Sequence, residues 1–400
     1  MKVALFTETF LPQINGVVRT LEKIILHLEA NGHKVLVFTI GEGESQYSKT
    51  KVVRIDGIRF NLYKELYIVK PQDKWVSKFT ENDLIQAPMA ILQSLIPTRH
   101  SIVEKALIEF NPDIIHLATP VTLGAIGLYY VDKLKLPSLA TYHTDLAAYA
   151  PMYHVPYFEE VINGVTKMIY SKVIRVLAPS PSSKKQLEEL GLENVGVLGR
   201  GVDQELFSPS KRNRQILANY DLDPEKITIT YVGRLAEEKS IPDLVTIFSN
   251  LCEKYPIQLL VIGDGPIKQE LEDSLDKTDG TYAFTGIKKG TDLVELYAAS
   301  DIFAFPSKTE TFGQVVLEAM ASGLPIVAYE SPGVRDLVQD KKNGYLATSL
   351  KDFELCLESL IKDANLRENY AKKSRELSME RSWKSILDGL LTEYSKLINQ

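Results

Sequence analysis

The sequence contains only two cysteines, Cys252 and Cys356, in 400 residues. Two thiols cannot form a disulfide framework, and they are too few for a structural zinc site. Each occupies a position in an amphipathic helical pattern, where a small apolar residue is expected. This cysteine usage is typical of proteins of the reducing cytoplasm, and we expect the protein there.

Long apolar runs are also missing. No stretch of 18 apolar residues occurs, so no transmembrane helix is predicted. The first ten residues, MKVALFTETF, have a strand-like pattern and do not resemble a signal peptide. Contact with a membrane is therefore expected to be peripheral, on the inner face of the cell membrane.

Basic residues are outnumbered by acidic residues in the second half of the chain. Residues 1–200 carry 22 Lys+Arg against 20 Asp+Glu, a balance of +2, whereas residues 201–400 carry 24 against 32, a balance of −8. Duplex nucleic acid requires a basic stripe, and the net charge of −6 argues against one, so no nucleic-acid partner is predicted. The first half is better suited to face anionic material.

Strands and helices alternate twice along the chain, which favours an α/β fold with two parallel sheets. A chain of this length suits two domains. The predicted strands are near-continuous apolar runs, typical of parallel strands buried on both faces. They are Lys2–Thr7, Lys34–Ile40, Asp113–Leu117, Ser138–Tyr142 and Val173–Ala178, then Thr228–Val232, Gln258–Ile262, Ala283–Thr285, Ile302–Phe305 and Pro325–Ala328. Two Rossmann-like domains facing across a cleft would bind ligands beyond the carboxyl ends of these strands.

The most specific motif is a pair of glutamates, Glu310 and Glu318, separated by seven residues. The motif follows a predicted strand and contains Gly313, after which a helix is predicted. A helix N-terminus offers free N–H groups to a diphosphate, and a carboxylate beside it can accept hydrogen bonds from sugar hydroxyls. The alternative, a loop glutamate and a surface helical glutamate, is disfavoured by the flanking P-S and A-M-A-S-G-x-P sequences.

Two cations, Arg234 and Lys239, lie in the loop after the strand Thr228–Val232. A guanidinium can contact two phosphate oxygens at once, and a lysine adds a point charge. Together they could stabilise a departing nucleoside diphosphate. The segment taken alone is equally consistent with a solvated charged loop.

Two features of the first half are candidates for the same site. Gly16 precedes the first helix and would allow close approach of a ligand, although an ordinary strand-to-helix turn explains it equally well. His143 follows a predicted strand and precedes Thr144 and Asp145, a better site candidate than an isolated histidine. His116 also lies at a strand end and is interpreted as a supporting residue.

Two common ligand motifs are absent. No G-x-G-x-x-G occurs, because Gly263-Asp-Gly265 lacks the third glycine, so a dinucleotide site is poorly supported. No metal-binding Asp-x-Asp motif follows a strand end. The Asp221-Leu-Asp223 triplet precedes a proline and is interpreted as a turn. No metal site and no cofactor are predicted.

The order of these motifs resembles that of the retaining GT-B glycosyltransferases of family 4. The resemblance rests on the Gly16 loop, His143, G-R-x-x-x-x-K at 233–239 and the E-x7-E at 310–318, and it covers nearly the whole chain. It implies two domains, 1–198 plus 380–400 on the acceptor side and 199–379 on the donor side. It also implies that no metal is required.

The resemblance further implies roles for individual residues. Arg234 and Lys239 would bind the donor diphosphate, Glu310 would hold sugar hydroxyls, and His143 would approach the sugar near C6. Glu318 would bind the ribose, with the base near residues 286–288. The donor-binding residues implied are Gly16, Gly233, Ile287, Phe312, Gly313, Gln314 and Glu318.

Within the family, two segments resemble the branch that glycosylates diacylglycerol and, more distantly, phosphatidylinositol mannosyltransferases. They are Y-H-T-D-x-x-x-Y at 142–149 and G-R-G-V-D at 199–203. They place Asp145, Tyr149 and Arg200 on the acceptor side. Many relatives have Asn where this chain has Asp145.

Residues 60–79 alternate lysines with aromatic residues, four Lys against Glu65 and Asp73. Such a segment could lie on anionic lipid. It could equally be a loop packed over the first domain.

The sequence therefore predicts a retaining transferase that moves glucose or mannose from a UDP- or GDP-sugar to a hydroxyl, on a membrane lipid such as diacylglycerol or a glycolipid. A soluble-sugar or polysaccharide acceptor, or a non-catalytic nucleotide-sugar-binding subunit, are the alternatives. A glycoside hydrolase using both glutamates would leave Arg234 and Lys239 without a role.

Overall fold

The computed structural model describes residues 1–13, 15–59, 67–69, 100–118, 120–143 and 158–400. The chain forms two compact units. Unit 1 comprises Met1–Pro179, Lys184–Leu198 and Leu387–Gln400, and unit 2 comprises Ser180–Ser183 and Gly199–Ile386. Residues 380–386, which the sequence analysis grouped with the first domain, belong to unit 2 in this division.

In the described part of unit 1, eight strands form one sheet. The strands of this unit are β1 Lys2–Thr7, β2 Lys34–Ile40, β3 Gln46–Tyr47, β4 Thr50–Ile55, β5 Gly57–Arg59, β6 Tyr67–Val69, β7 Ile114–Ala118, β8 Ser138–Thr141, β9 Arg175–Ala178 and β10 Val195–Val197. The sheet order is β10-β9-β8-β7-β1-β2-β4-β3, while β5 and β6 form a separate antiparallel pair. All pairings in the large sheet are parallel except that of β3 with β4.

Helices lie between most of the parallel strands of unit 1, as crossover connections usually require. They are α1 Gly16–Ala30, α2 Ser101–Phe110, α3 Thr122–Leu134, α4 Phe158–Tyr170 and α5 Pro181–Glu189. Strand β1 has β2 on one side and β7 on the other. This reversal of strand order opens a crevice between the loops after β1 and β7, where ligands of such sheets bind.

Unit 2 repeats the arrangement with six parallel strands, all within the described residues. They are β11 Ile227–Val232, β12 Ile257–Ile262, β13 Thr281–Phe284, β14 Ile302–Phe305, β15 Ile326–Tyr329 and β16 Gly344–Ala347. Their order is β13-β12-β11-β14-β15-β16. The order reverses between β11 and β14, so the loops after these two strands flank the expected crevice.

Helices also alternate with the strands of the second half and continue beyond its last strand. They are α6 Ile241–Cys252, α7 Lys268–Leu275, α8 Gly290–Ala299, α9 Gln314–Ala321, α10 Pro332–Arg335, α11 Leu350–Lys362, α12 Ala364–Ser378 and α13 Trp383–Ile398. Leu387–Gln400, which includes most of α13, belongs to unit 1. Short 3-10 turns occupy Pro209–Lys211, Arg214–Tyr220 and Glu237–Lys239.

The predicted fold class is confirmed: the chain contains two Rossmann-like parallel sheets with helices between the strands. Strands β1, β2 and β14 have the predicted bounds. Strands β3, β4, β10 and β16 of the two large sheets were not predicted, and neither was the β5–β6 pair. The four strands lie toward the outer parts of their sheets. Strand β4 reads Thr-Lys-Val-Val-Arg-Ile, with polar residues interrupting the apolar run on which the prediction relied.

Candidate functional site

The loop after β11 holds Arg234 and Lys239 at the carboxyl edge of the second sheet. Its backbone is fixed by the loop after β12. The Leu235 N–H donates to the Asp264 carbonyl at 2.9 Å. A Cβ on Gly263, which has a φ of +149°, would lie 1.9 Å from the Gly233 carbonyl oxygen. The Gly263-Asp-Gly265 segment, which fails as a dinucleotide motif, thus supports the cation-bearing loop.

Lys239 contacts Glu310 across the point where the strand order reverses. Its Nζ lies 2.9 Å from Glu310 Oε2, and both side chains are less than one-fifth exposed. The loops after β11 and β14 therefore bring together the two residues that sequence analysis placed in separate motifs. The contact lies where a doubly wound sheet binds its ligand.

The Glu310 carboxyl is held in its ionised form. Burial acts to raise its pKa, but Lys239, Arg200 and the Gly313 N–H outweigh burial and lower the pKa below its usual value. A carboxylate of this kind is a strong hydrogen-bond acceptor and a poor proton donor at neutral pH. It is suited to bind hydroxyl groups.

Arg200 lies near the Lys239–Glu310 pair. Its guanidinium carbon lies 5.7 Å from the centre of the Phe312 ring, and the side chain is buried. Burial lowers the Arg200 pKa, and the nearby Glu310 opposes that change. Arg200 Nε has no hydrogen-bond partner among the residues that the structure describes. The sequence analysis assigned Arg200 to the acceptor side, whereas the structure places it beside Glu310, with the residues predicted to bind the donor.

Arg234 is paired with a buried glutamate that the sequence analysis did not single out. Its Nη1 lies 3.5 Å from Glu238 Oε1, and the Glu238 side chain is only 8% exposed. The Tyr231 hydroxyl donates to the Arg234 carbonyl at 2.9 Å. The pair spans a loop and the 3-10 turn Glu237–Lys239, so its four-residue spacing gave no helical signal in the sequence.

Helix α9 begins directly after Gly313, whose φ of +87° is the left-handed conformation that glycine adopts readily. Gln314 Nε2 donates to the Gly201 carbonyl at 3.1 Å. Glu318 is buried inside the helix and accepts a hydrogen bond from the Tyr297 hydroxyl at 3.3 Å. Because the Gly313 N–H interacts with Glu310, the N-terminus of α9 lies next to that carboxylate, and Glu318 lies further along the same helix.

The loop after β13 presents Ile287, which is 63% exposed. Lys288 Nζ lies 5.3 Å from the centre of the Tyr220 ring. Strand β13 is the outermost strand of the sheet on that side, two strands from β11. Residues 286–288, which are predicted to bind the base, therefore lie at the carboxyl ends of the strands, as the cation-bearing loop does.

In unit 1, Gly16 and His143 follow strands of one sheet, with β7 between them in the strand order. The Asn15 side chain caps α1 by accepting from Val17 N and Val18 N, at 3.0 Å each, so Gly16 begins the helix at an exposed turn. His143 is buried immediately after β8. Asp145, Tyr149 and residues 70–79 lie outside the described residues, as do 60–66.

Glu8 is a further buried carboxylate of unit 1 that sequence analysis missed. Its Oε1 accepts from the N–H groups of Val121, Leu123 and Gly124 at 2.7–3.1 Å, at the start of α3. Burial raises the Glu8 pKa to about 7 despite these donors. Glu8 joins the loop after β1 to the loop after β7, the two loops of the unit 1 crevice. The T-E-T-F segment gave no local signal for such a distant partner.

His116 supports a distant helix of its own unit. Its Nδ1 lies 2.6 Å from the Tyr394 hydroxyl on α13, and its Nε2 lies 3.0 Å from Thr141 Oγ1. Burial lowers the His116 pKa to about 3, so the ring is neutral. The residue anchors α13 to β7.

Comparison with known proteins decides the family. The profile described as "Glycosyltransferase Family 4" matches residues 14–206, and "Glycosyl transferases group 1" matches residues 213–377. A GDP-mannose-dependent alpha-mannosyltransferase of Mycobacterium tuberculosis is 32% identical over 98% of this chain and 96% of its own length. The chain belongs to glycosyltransferase family 4.

Two further comparisons agree with this assignment. An alpha-monoglucosyldiacylglycerol synthase of Streptococcus pneumoniae is 25% identical to this glycosyltransferase, over 96% of the chain and 84% of its own length. The solved structure of sucrose-phosphate synthase from Thermosynechococcus elongatus superposes with a TM-score of 0.76 at 19% identity, covering 100% of this chain and 99% of that one. The predicted GT-B fold is thereby confirmed, and the protein is a hexosyltransferase that uses a nucleotide sugar.

Proposed function

We propose that this glycosyltransferase moves glucose or mannose from a UDP- or GDP-sugar to a hydroxyl of a membrane lipid, with retention of the anomeric configuration. The observation that carries the proposal is the contact between Lys239 and Glu310 beside the N-terminus of α9. This contact supports the proposal because it brings together a cation suited to a diphosphate and a carboxylate suited to sugar hydroxyls, close to a helix N-terminus.

The leaving diphosphate develops negative charge as the glycosidic bond breaks. Lys239, Arg234 and the first turn of α9 supply fixed positive charge for it without reorganisation. Glu310, ionised and anchored by Lys239, accepts hydrogen bonds from the sugar hydroxyls and so holds the ring in one orientation.

Retention follows from front-side attack, in which the acceptor hydroxyl enters on the face that the diphosphate leaves. A donor phosphate oxygen then takes the hydroxyl proton. Glu310 is unsuited to act as a general acid because Lys239 and Arg200 help lower its pKa. The same argument disfavours the glycoside hydrolase alternative, which needs a carboxyl group with a raised pKa.

The names of two relatives support the donor and acceptor classes. The Mycobacterium tuberculosis relative is named for GDP-mannose, and the Streptococcus pneumoniae relative is named for a glucosylated diacylglycerol. We therefore propose a mannosyl or glucosyl donor and a diacylglycerol-type lipid acceptor. A soluble-sugar acceptor is the second candidate.

The experiment offers GDP-mannose and UDP-glucose separately to the purified protein, each with diacylglycerol vesicles and each with a soluble sugar acceptor. We expect one donor to be consumed with vesicles and the product to contain an α-linked hexose by NMR. A β-linked product would contradict retention. Transfer only to the soluble sugar would contradict the lipid acceptor, and binding of both donors without turnover would support a non-catalytic subunit.

A further inference from the structure

Two segments that are remote in sequence, around Ser183 and Gly333, donate hydrogen bonds to the backbone of the loop that carries Glu310. The Gly333 N–H donates to the Glu310 carbonyl at 2.7 Å, and the Ser183 hydroxyl donates to the Thr311 carbonyl at 3.1 Å. Two successive carbonyls of the loop, one on each side of the Thr311 Cα, are therefore held by hydrogen bonds.

The two supporting segments are also joined to each other. Asp336, just after α10, accepts hydrogen bonds from Ser182 N at 2.9 Å and from Ser182 Oγ at 3.1 Å. Ser183 is itself oriented by Ser180, whose Oγ lies 3.1 Å from Ser183 N. The contacts form a closed ring from the Glu310 loop through Gly333 and Asp336 to the serine segment and back.

This ring is packed tightly enough to fix the position of the loop. Ser180 and Ser183 are 1% and 0% exposed, and Phe312 is 1% exposed. A Cβ on Gly333 would lie 2.1 Å from Phe312 N, so the two backbones touch directly. Buried hydrogen bonds in such close packing leave a loop little freedom to shift.

We propose that Ser183 is a positioning residue for the Glu310 carboxylate. Its hydroxyl fixes the Thr311 carbonyl and thereby fixes the direction in which the preceding side chain projects toward Lys239. The segment Ser180–Ser183 belongs to unit 2, although the helix that it begins continues into unit 1. The inference rests on the proposed role of Glu310 in holding the donor sugar.

Ser374 provides a matched control within the same unit. It is also 0% exposed, and its hydroxyl donates to the carbonyl of Asn343 at 3.1 Å, in a part of unit 2 that does not carry the Glu310 loop. Ser183→Ala and Ser374→Ala each delete one buried hydroxyl donor to a backbone carbonyl. They should lower the apparent Tm by similar amounts, about 3 °C.

Only Ser183→Ala should lower catalytic efficiency, by about tenfold, because a small displacement of Glu310 weakens its grip on the sugar. The affinity for the free nucleoside diphosphate, UDP or GDP, should stay unchanged, while the affinity for UDP-glucose or GDP-mannose, whichever is the donor, should fall. In a double variant with Glu310→Gln, the Ser183→Ala change should add almost nothing, since both act through one carboxylate.

The outcomes separate this inference from the proposed function. If Glu310→Gln turns over as fast as the parent, the proposed site is wrong. If Glu310→Gln is impaired but Ser183→Ala is as active as Ser374→Ala, or adds its full effect to Glu310→Gln, the positioning role alone is overturned. Should Ser183→Ala fail to fold, Asp336→Asn, which weakens the same ring at a partly exposed residue, must show the same selective loss of nucleotide-sugar affinity for the inference to stand.

Discussion

At the residue scale, two cations of the candidate site are already paired with carboxylates. Lys239 contacts Glu310 at 2.9 Å and Arg234 contacts Glu238 at 3.5 Å. These pairs hold the long, flexible side chains in place before any ligand arrives, so less conformational entropy is lost on binding an anion. The pairing is therefore a preorganising feature of the diphosphate site that we propose.

Replacing Arg234 or Lys239 by Ala should lower kcat/KM by about a hundredfold or more. Each change removes a positive side chain that stabilises the negative charge of the leaving diphosphate in the transition state. Steady-state kinetics measures the effect, with GDP-mannose or UDP-glucose as the donor, whichever the experiment above selects. Lys268→Ala removes an ion pair with Glu272 on α7 in the same unit and serves as the control. Near-normal turnover of both site variants would remove the diphosphate role from this loop.

At the scale of single elements, α13 combines buried leucines with polar side chains that contact β7, β9 and α1. Tyr394 contacts His116, Glu393 contacts Arg175 at 3.0 Å, and Asp388 contacts His27 at 2.9 Å. Of these contacts, the one with His116 is fully buried. A buried neutral histidine makes the docking of this helix dependent on pH.

The His116 pKa is lowered to about 3 in the folded chain, against an ordinary value near 6.5. The unfolded chain therefore binds the extra proton first, and stability that is present above pH 6.5 is lost as the pH falls toward 3. Between pH 6.5 and 5 this residue should cost about 1.5 kcal/mol of unfolding free energy.

Urea unfolding of the parent and of His116→Gln at these two pH values measures the effect. The variant should lose about 1.5 kcal/mol less than the parent over the interval, since it has no ring to protonate there. Equal losses in the two proteins would show that other groups carry the acid sensitivity. Tyr394→Phe, which keeps the histidine, should retain the pH dependence of the parent.

At the scale of the whole molecule, the distribution of charge predicts whether activity requires a metal ion and whether the protein binds a membrane. Unit 2 supplies its own cations around the Glu310 loop in Arg200, Arg234 and Lys239. Since side-chain cations and a helix N-terminus can stabilise a diphosphate, we expect turnover to persist in EDTA. Complete loss of activity that Mn²⁺ or Mg²⁺ restores would contradict this.

Among the described residues, no helix is both long enough and apolar enough to cross a bilayer. The first 200 residues are ten charges more positive than the rest, +2 against −8. We therefore expect the protein to bind anionic vesicles and to be released by high salt, which screens surface charges. Co-sedimentation with vesicles at low and high salt measures this.

Charge reversal of Lys70, Lys74 and Lys78 to Glu should weaken both vesicle binding and transfer to lipid, because each basic residue near an anionic surface contributes about 1 kcal/mol. Hydrolysis of the donor without lipid should be unaffected. A variant that glycosylates lipid as well as the parent would show that this segment is not the membrane contact. A parent that ignores vesicles would contradict the lipid acceptor altogether.

The sequence by itself determined the strand–helix alternation and the loops that carry the candidate chemistry. Buried parallel strands consist of consecutive apolar residues, so the bounds of β1, β2 and β14 could be predicted from the local sequence. The motifs around Arg234 and Glu310 follow such strands directly. Their position at the carboxyl edge of a sheet needed no knowledge of distant contacts.

Only the tertiary structure decided which of those loops meet. Strand order is set by pairing between segments far apart in the chain, and it places the loop after β11 beside the loop after β14, so that Lys239 reaches Glu310. The cap that Glu8 provides to α3 and the Ser183 contact with Thr311 likewise join residues more than 100 positions apart. A hydrogen bond between such residues leaves no periodic pattern in the sequence, because its geometry exists only once the sheets have formed.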